Sequence, residues 1–108
     1  MRIYMPKFNA IMGEFLVSCA QDIHKYEDGS TLYHQQFVYK FPNGYGVSVI
    51  RFSKNGDHED VWETAVLNTD GNLLTFNEYD DVVEQNLSSD DVVTVLYGVY
   101  KEGIDYCR

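Results

Sequence analysis

The sequence predicts an α+β fold: a four-stranded antiparallel β-meander with an N-terminal and a C-terminal helix packed on one face, in the order α-β-β-β-β-α. Three observations predict it. Apolar residues recur with helical spacing over 10–27, two alternating runs flank Phe41-Pro42-Asn43-Gly44-Tyr45, and a valine-rich segment at 88–102 begins with capping serines. The chain has 108 residues, enough for one domain with its own core, and 1–108 reads as a single compact unit.

The first helix is expected over 10–27, where Ile11, Met12, Phe15, Leu16, Cys19, Ile23 and Tyr26 form one stripe. Asn9 would cap it, and Glu27-Asp28-Gly29 would stop it, with Gly29 in the left-handed position after the last turn. Strands are expected at 32–41 and 45–53. Between them Pro42 and Asn43 suit the two central positions of a type I turn and Gly44 the left-handed residue of a bulged three-residue loop. That register pairs Phe41 with Tyr45, Tyr39 with Val47 and Phe37 with Val49, giving one apolar face. Gln36, Lys40 and Ser48, with Val38 and Ile50, fall on the other.

After a polar loop from Lys54 to Asp57, Val61–Leu67 has the composition of a third strand, with Trp62 expected inside the sheet. Asn68-Thr69-Asp70-Gly71-Asn72 is a turn, Leu73–Phe76 a short fourth strand, and Asp80–Asn86 one or two helical turns. Ser88 or Ser89 then caps a final helix to about Glu102, ended by Gly103, although its valines keep a strand in play.

Sixteen aromatic residues exclude a solvated acidic tail, and no stretch is apolar enough to cross a membrane. Leu16-Val17-Ser18-Cys19 resembles a lipoprotein cleavage box, but Asn9 and Glu14 interrupt the apolar segment such a signal requires. Cys19 and Cys107 match no metal or redox spacing and read as free thiols of a reducing compartment, with Cys19 on the apolar side of the first helix.

Charge is the sharpest signal. From Asn55 through Tyr100 there is no Lys or Arg, while eleven Asp and Glu residues occur there, and the net charge of the chain is −9. A surplus of anions argues against direct binding to nucleic acid and for a cationic partner. Asp90 and Asp91 would lie in the first turn of the last helix and Asp80 and Asp81 at the start of the segment before it, positions that favour carboxylates. Asp80 and Glu84, however, would be like charges one helical turn apart. Tyr79, Tyr97, Tyr100 and Tyr106 lie within or beside the acidic half and offer rigid recognition area. Tyr33, Tyr39 and Tyr45 follow the apolar hairpin face.

Catalytic patterns are missing. Asp57-His58-Glu59-Asp60 holds metal-ligand types, but adjacent residues of an extended loop rarely converge on one ion. His24 and His34 are isolated, Ser30, Ser48 and Ser53 lack a nucleophile turn, and Gly44 and Gly46 serve the hairpin rather than a phosphate loop. The chain is therefore read as a non-enzyme without cofactor or metal.

The run from Phe41-Pro42-Asn43-Gly44-Tyr45 to Arg51, then Trp62-Glu63-Thr64-Ala65-Val66-Leu67, Asp80-Asp81-Val82 and an acidic last helix, resembles small accessory proteins of tailed phages and prophages over residues 37–100. The helix at 10–27 lies outside that pattern. The resemblance implies a phage protein acting in the host bacterial cytoplasm, and it brings no catalytic residue with it. Phage context and an acidic domain together suggest an inhibitor, of the anti-CRISPR or anti-restriction kind, that occupies the basic nucleic-acid-binding cleft of a host defence protein. Asp80, Asp81, Glu84, Asp90 and Asp91 would stand in for phosphates around Tyr79 and Glu78. An immunity or antitoxin-like binder of a cationic toxin, and a homodimeric or larger structural or regulatory module, are the alternatives.

Overall fold

The computed structural model describes residues 7–54, 61–73, 75–77, 80–81 and 83–107. It is an α+β arrangement. Helix α1 (Lys7–Met12) leads through a tight 3-10 turn at Gly13–Phe15 into strands β1 (Leu16–Lys25), β2 (Thr31–Lys40), β3 (Gly46–Lys54) and β4 (Trp62–Leu67). Short strands β5 (Thr75–Asn77) and β6 (Asp80–Asp81) precede β7 (Val83–Leu87) and the C-terminal helix α2 (Ser89–Glu102). The main sheet has five antiparallel strands in the order β1-β2-β3-β4-β7, and β5 and β6 pair separately.

The central hairpin has the expected register, with Tyr39 opposite Val47 and Phe37 opposite Val49. Its turn closes by a hydrogen bond from the Phe41 N–H to the Tyr45 carbonyl, with Gly44 at φ 91°. The terminal helix also forms as expected. Ser88 accepts from the Asp91 N–H at 3.2 Å, and the Asp91 carboxylate accepts from the Ser88 N–H at 3.1 Å, a reciprocal cap.

Three expectations are corrected. The helix expected at 10–27 ends at Met12, and most of its length is β1, which pairs with β2 from Leu16 to Lys25. Val17, Ser18, Cys19, Asp22, Ile23 and His24 are weak helix formers, and ten residues of ladder with β2 override a stripe that suits a helix. Asn9 accordingly lies inside α1 rather than capping it, and Cys19 is exposed on β1 instead of facing a core. The helical turns expected at Asp80–Asn86 are β6 and β7, which removes the like-charge neighbours Asp80 and Glu84 from one helix face. The main sheet therefore has five strands, not four. The segment expected as its fourth strand contributes only a Leu67–Leu73 bridge and β5, while β7 takes the place beside β4.

Both helices cover the same face of the sheet. Phe8 and Met12 of α1 and Val92, Val95, Leu96 and Val99 of α2 pack on Phe37, Tyr39, Val47, Val49, Trp62 and Val66. Phe8 is the hub, edge-on to Trp62 at 4.9 Å and to Phe37 at 5.8 Å between ring centres. The Tyr39 hydroxyl donates to Asn9 Oδ1 at 2.9 Å, so the ring is wholly buried with its polar end satisfied. No described helix is long and apolar enough to cross a membrane.

Candidate partner-binding surface

Helix α2 is anchored by its valines and Leu96, which leaves Asp90, Asp91, Thr94, Tyr97, Tyr100 and Lys101 exposed along its outer side. Asp90, Thr94 and Tyr97 recur at i, i+4 and i+7 and so share one surface strip about 10 Å long, whereas Asp91 and Tyr100, nine residues apart, lie on opposite flanks of it. Asp90 meets Lys7 of α1 at 2.9 Å, an ion pair in which both side chains remain mostly in water and which adds little stability. Asp91 has a second task as the reciprocal cap. The side chain is still exposed, and both carboxylates sit where the helix N–H groups favour negative charge.

Tyr97 continues the strip and Tyr100 flanks it. Tyr100 packs on Phe15 at 4.9 Å and on Phe41 at 5.7 Å, which fixes its ring while its edge stays exposed, and Lys101 lies over the Tyr97 ring at 5.6 Å. Beside them an open groove of about 400 Å³ runs between α2 and the terminal turn, with Val93, Tyr97, Gly98, Lys101 and Tyr106 along it. Gly98 makes this wall possible, since a Cβ there would strike the Tyr106 ring.

Of the site residues expected from sequence, Asp90 and Asp91 lie together in the first turn of α2. Glu84 is exposed on β7, an edge strand, which leads directly into the Ser88 cap. The backbones of Asp80 and Asp81 form β6 against β5, a separate small sheet. Glu78 and Tyr79 lie outside the described residues, as does Asp57-His58-Glu59-Asp60. Glu63 accepts a hydrogen bond from Gln85 at 2.8 Å on the sheet face that the helices leave open.

Two features were not singled out from the sequence. Arg51 is buried on the helix-covered face, donating to Gln35 Oε1 at 2.8 Å with its guanidinium 4.9 Å from the Trp62 ring centre. Strand alternation from Val47 and Val49 places residue 51 on that face, so the signal was present. Phe52 is the other, 58% exposed on the open face and stacked with His34 at 4.7 Å.

Among the described residues no three His, Cys, Asp or Glu side chains converge on a metal position. His24 and His34 face aromatic rings, Tyr26 and Phe52, rather than a nucleophile. Comparison of the chain with protein-family models, curated proteins and solved structures gives no match.

Proposed function

We propose that this protein acts by occupancy: it is a phage accessory protein whose acidic surface seats in the basic nucleic-acid-binding cleft of a host defence protein and excludes the nucleic acid. The observation that supports the reading is the outer side of α2, where exposed Asp90 leads into exposed Tyr97 along one strip, with Asp91 on one flank and Tyr100 on the other. Carboxylates steer and orient a cationic partner, and tyrosines supply the desolvated contact area that holds it. Residues 55 to 100 hold no Lys or Arg, so the cations beside the strip, Lys7 on Asp90 and Lys101 over Tyr97, come from outside that segment. Partner binding would then weaken steeply with salt.

The test uses the intact chain as bait in nuclease-treated lysate of a phage-susceptible bacterium, beside a variant carrying Glu84→Lys and Asp90→Lys. Both positions are exposed, and neither belongs to the Ser88–Asp91 cap. The expected result is a nucleic-acid-binding protein held by the parent chain, released by salt and not held by the variant. If both baits hold the same proteins, the acidic strip is not the binding surface and the reading fails.

A further inference from the structure

We propose that the open face of the five-stranded sheet binds a second copy of this chain, with Phe52 of each copy entering an apolar cavity at the opposite end of the other's sheet.

Among the described residues no helix packs on the face opposite α1 and α2. That face carries Val38, Ile50, Phe52, Ala65, Leu67 and Val83, all placed there by the strand registers. Its polar groups largely satisfy one another: Gln36 donates to Ser48 at 3.0 Å, Gln85 donates to Glu63, and His34 stacks on Phe52. By register its charged positions are Asp22, Lys40, Lys54 and Glu63, which balance, in a chain of net −9. This is where two such anions approach at least cost.

Size also fits. Five strands about 4.8 Å apart and up to ten residues long span about 20 by 30 Å, comparable with the ~800 Å² per partner of stable interfaces.

The arrangement is self-complementary. Asp22, His34 and Phe52 lie in one cross-strand row, and Lys40, Gly46 and Leu67 in another. On β3 the two rows are six residues apart, about 20 Å, with Val49 midway beside Phe37. A twofold axis parallel to that middle row, about 5 Å above the open face, exchanges the ends. It lays Phe52 of one copy over Gly46 and Leu67 of the other, and Lys40 over the other's His34 and Asp22.

A half-open cavity of about 160 Å³ lies at that position, lined by the apolar side chains of Val17, Val38 and Leu67 and by Gly46, with Lys40 and Asn68 as its polar side chains. An apolar cavity of about 150 Å³ accommodates a benzene ring. No side chain fits at Gly46, because a Cβ would collide with the Tyr39 carbonyl. One face thus presents a ring at one end and a hole at the other, and an amine at one end and a carboxylate at the other.

Sedimentation equilibrium and light scattering on the full chain at sub-millimolar concentration test this. A dimer is expected, and Phe52→Glu should weaken it by at least ~30-fold, the effect of losing a buried anchor. The melting temperature of the monomer should stay unchanged, since Phe52 is an exposed side chain. Lys40→Asp and Asp22→Lys should each weaken the dimer, and the double variant should recover most of the loss. A parent chain that is monomeric throughout, a dimer indifferent to Phe52→Glu, or a double variant no tighter than the singles would each overturn the proposal.

Discussion

Asn43 shows how much one side chain carries. Its Oδ1 accepts from the Tyr45 N–H at 3.0 Å, shaping the hairpin turn, and its Nδ2 donates to the carbonyls of Val99 and Tyr100 at 2.8 and 3.1 Å. The first task is legible in Pro42-Asn43-Gly44. The second is not, because the carbonyls it caps lie more than fifty residues away and meet it only after folding. Asn43→Ala should cost about 1–2 kcal/mol, read from urea unfolding, with the loss concentrated at the end of α2. Tyr39 makes a different prediction. Burial, and secondarily the nearby Cys19 sulfur, pushes its phenol upward from the ordinary value near 10. A group raised on folding contributes stability that is whole below its unfolded pKa and declines as pH rises above it. Urea midpoints of the parent should therefore fall above about pH 10 more steeply than those of Tyr39→Phe, which lacks the ionising group but starts lower for want of the Asn9 hydrogen bond.

Helix α2 was readable because its signals agree: Ser88 and Asp91 form the cap, the valines and Leu96 fall on one side, and Gly103 ends it at φ 57°. Ser88→Ala should lower stability by about 1 kcal/mol, and Ser88→Asp should retain most of it, as thermal unfolding would show. Strand β1 was misread because Leu16, Cys19 and Ile23 satisfy a helical stripe while their neighbours satisfy a strand only once β2 lies beside them. A better signal was in reach. Tyr26–Ser30, Phe41–Tyr45 and Asn68–Asn72 close with the same pair of backbone hydrogen bonds, and each places a glycine, Gly29, Gly44 or Gly71, at φ between 83° and 91°. Glu27-Asp28-Gly29, Pro42-Asn43-Gly44 and Thr69-Asp70-Gly71 are one turn written three times, so the reading of Gly44 as a hairpin residue extends to Gly29. Strands β6 and β7 had no comparable mark, since Asp80–Asn86 is short and carries both helical and extended preferences.

At the scale of the molecule the charge asymmetry was fully legible, and its spatial arrangement was not. Asp90 and Asp91 share a helix turn as their spacing requires, whereas Asp80 and Asp81 enter a separate two-stranded sheet that depends on the return of the chain between β4 and β7. Lys7 and Asp90 form a close ion pair, and the chain as a whole holds 17 Asp and Glu against 8 Lys and Arg, so acidic charge predominates. The melting temperature should rise as salt is raised from low millimolar to roughly physiological strength, where the screening length is about 8 Å, as calorimetry would show. The sheet is also uneven in how tightly it is held. β3 lies between two strands and beneath α2, while β1 is bonded on one side alone and exposed at eight of its ten positions. In native-state hydrogen exchange, β1 amides should open at low free energy, well before those of Val47 and Val49, whose protection should approach the global limit. Strand β1 would then behave as a separable arm, able to detach from an otherwise intact body, and a chain caught in that condition could lend its arm to the β2 of a neighbour.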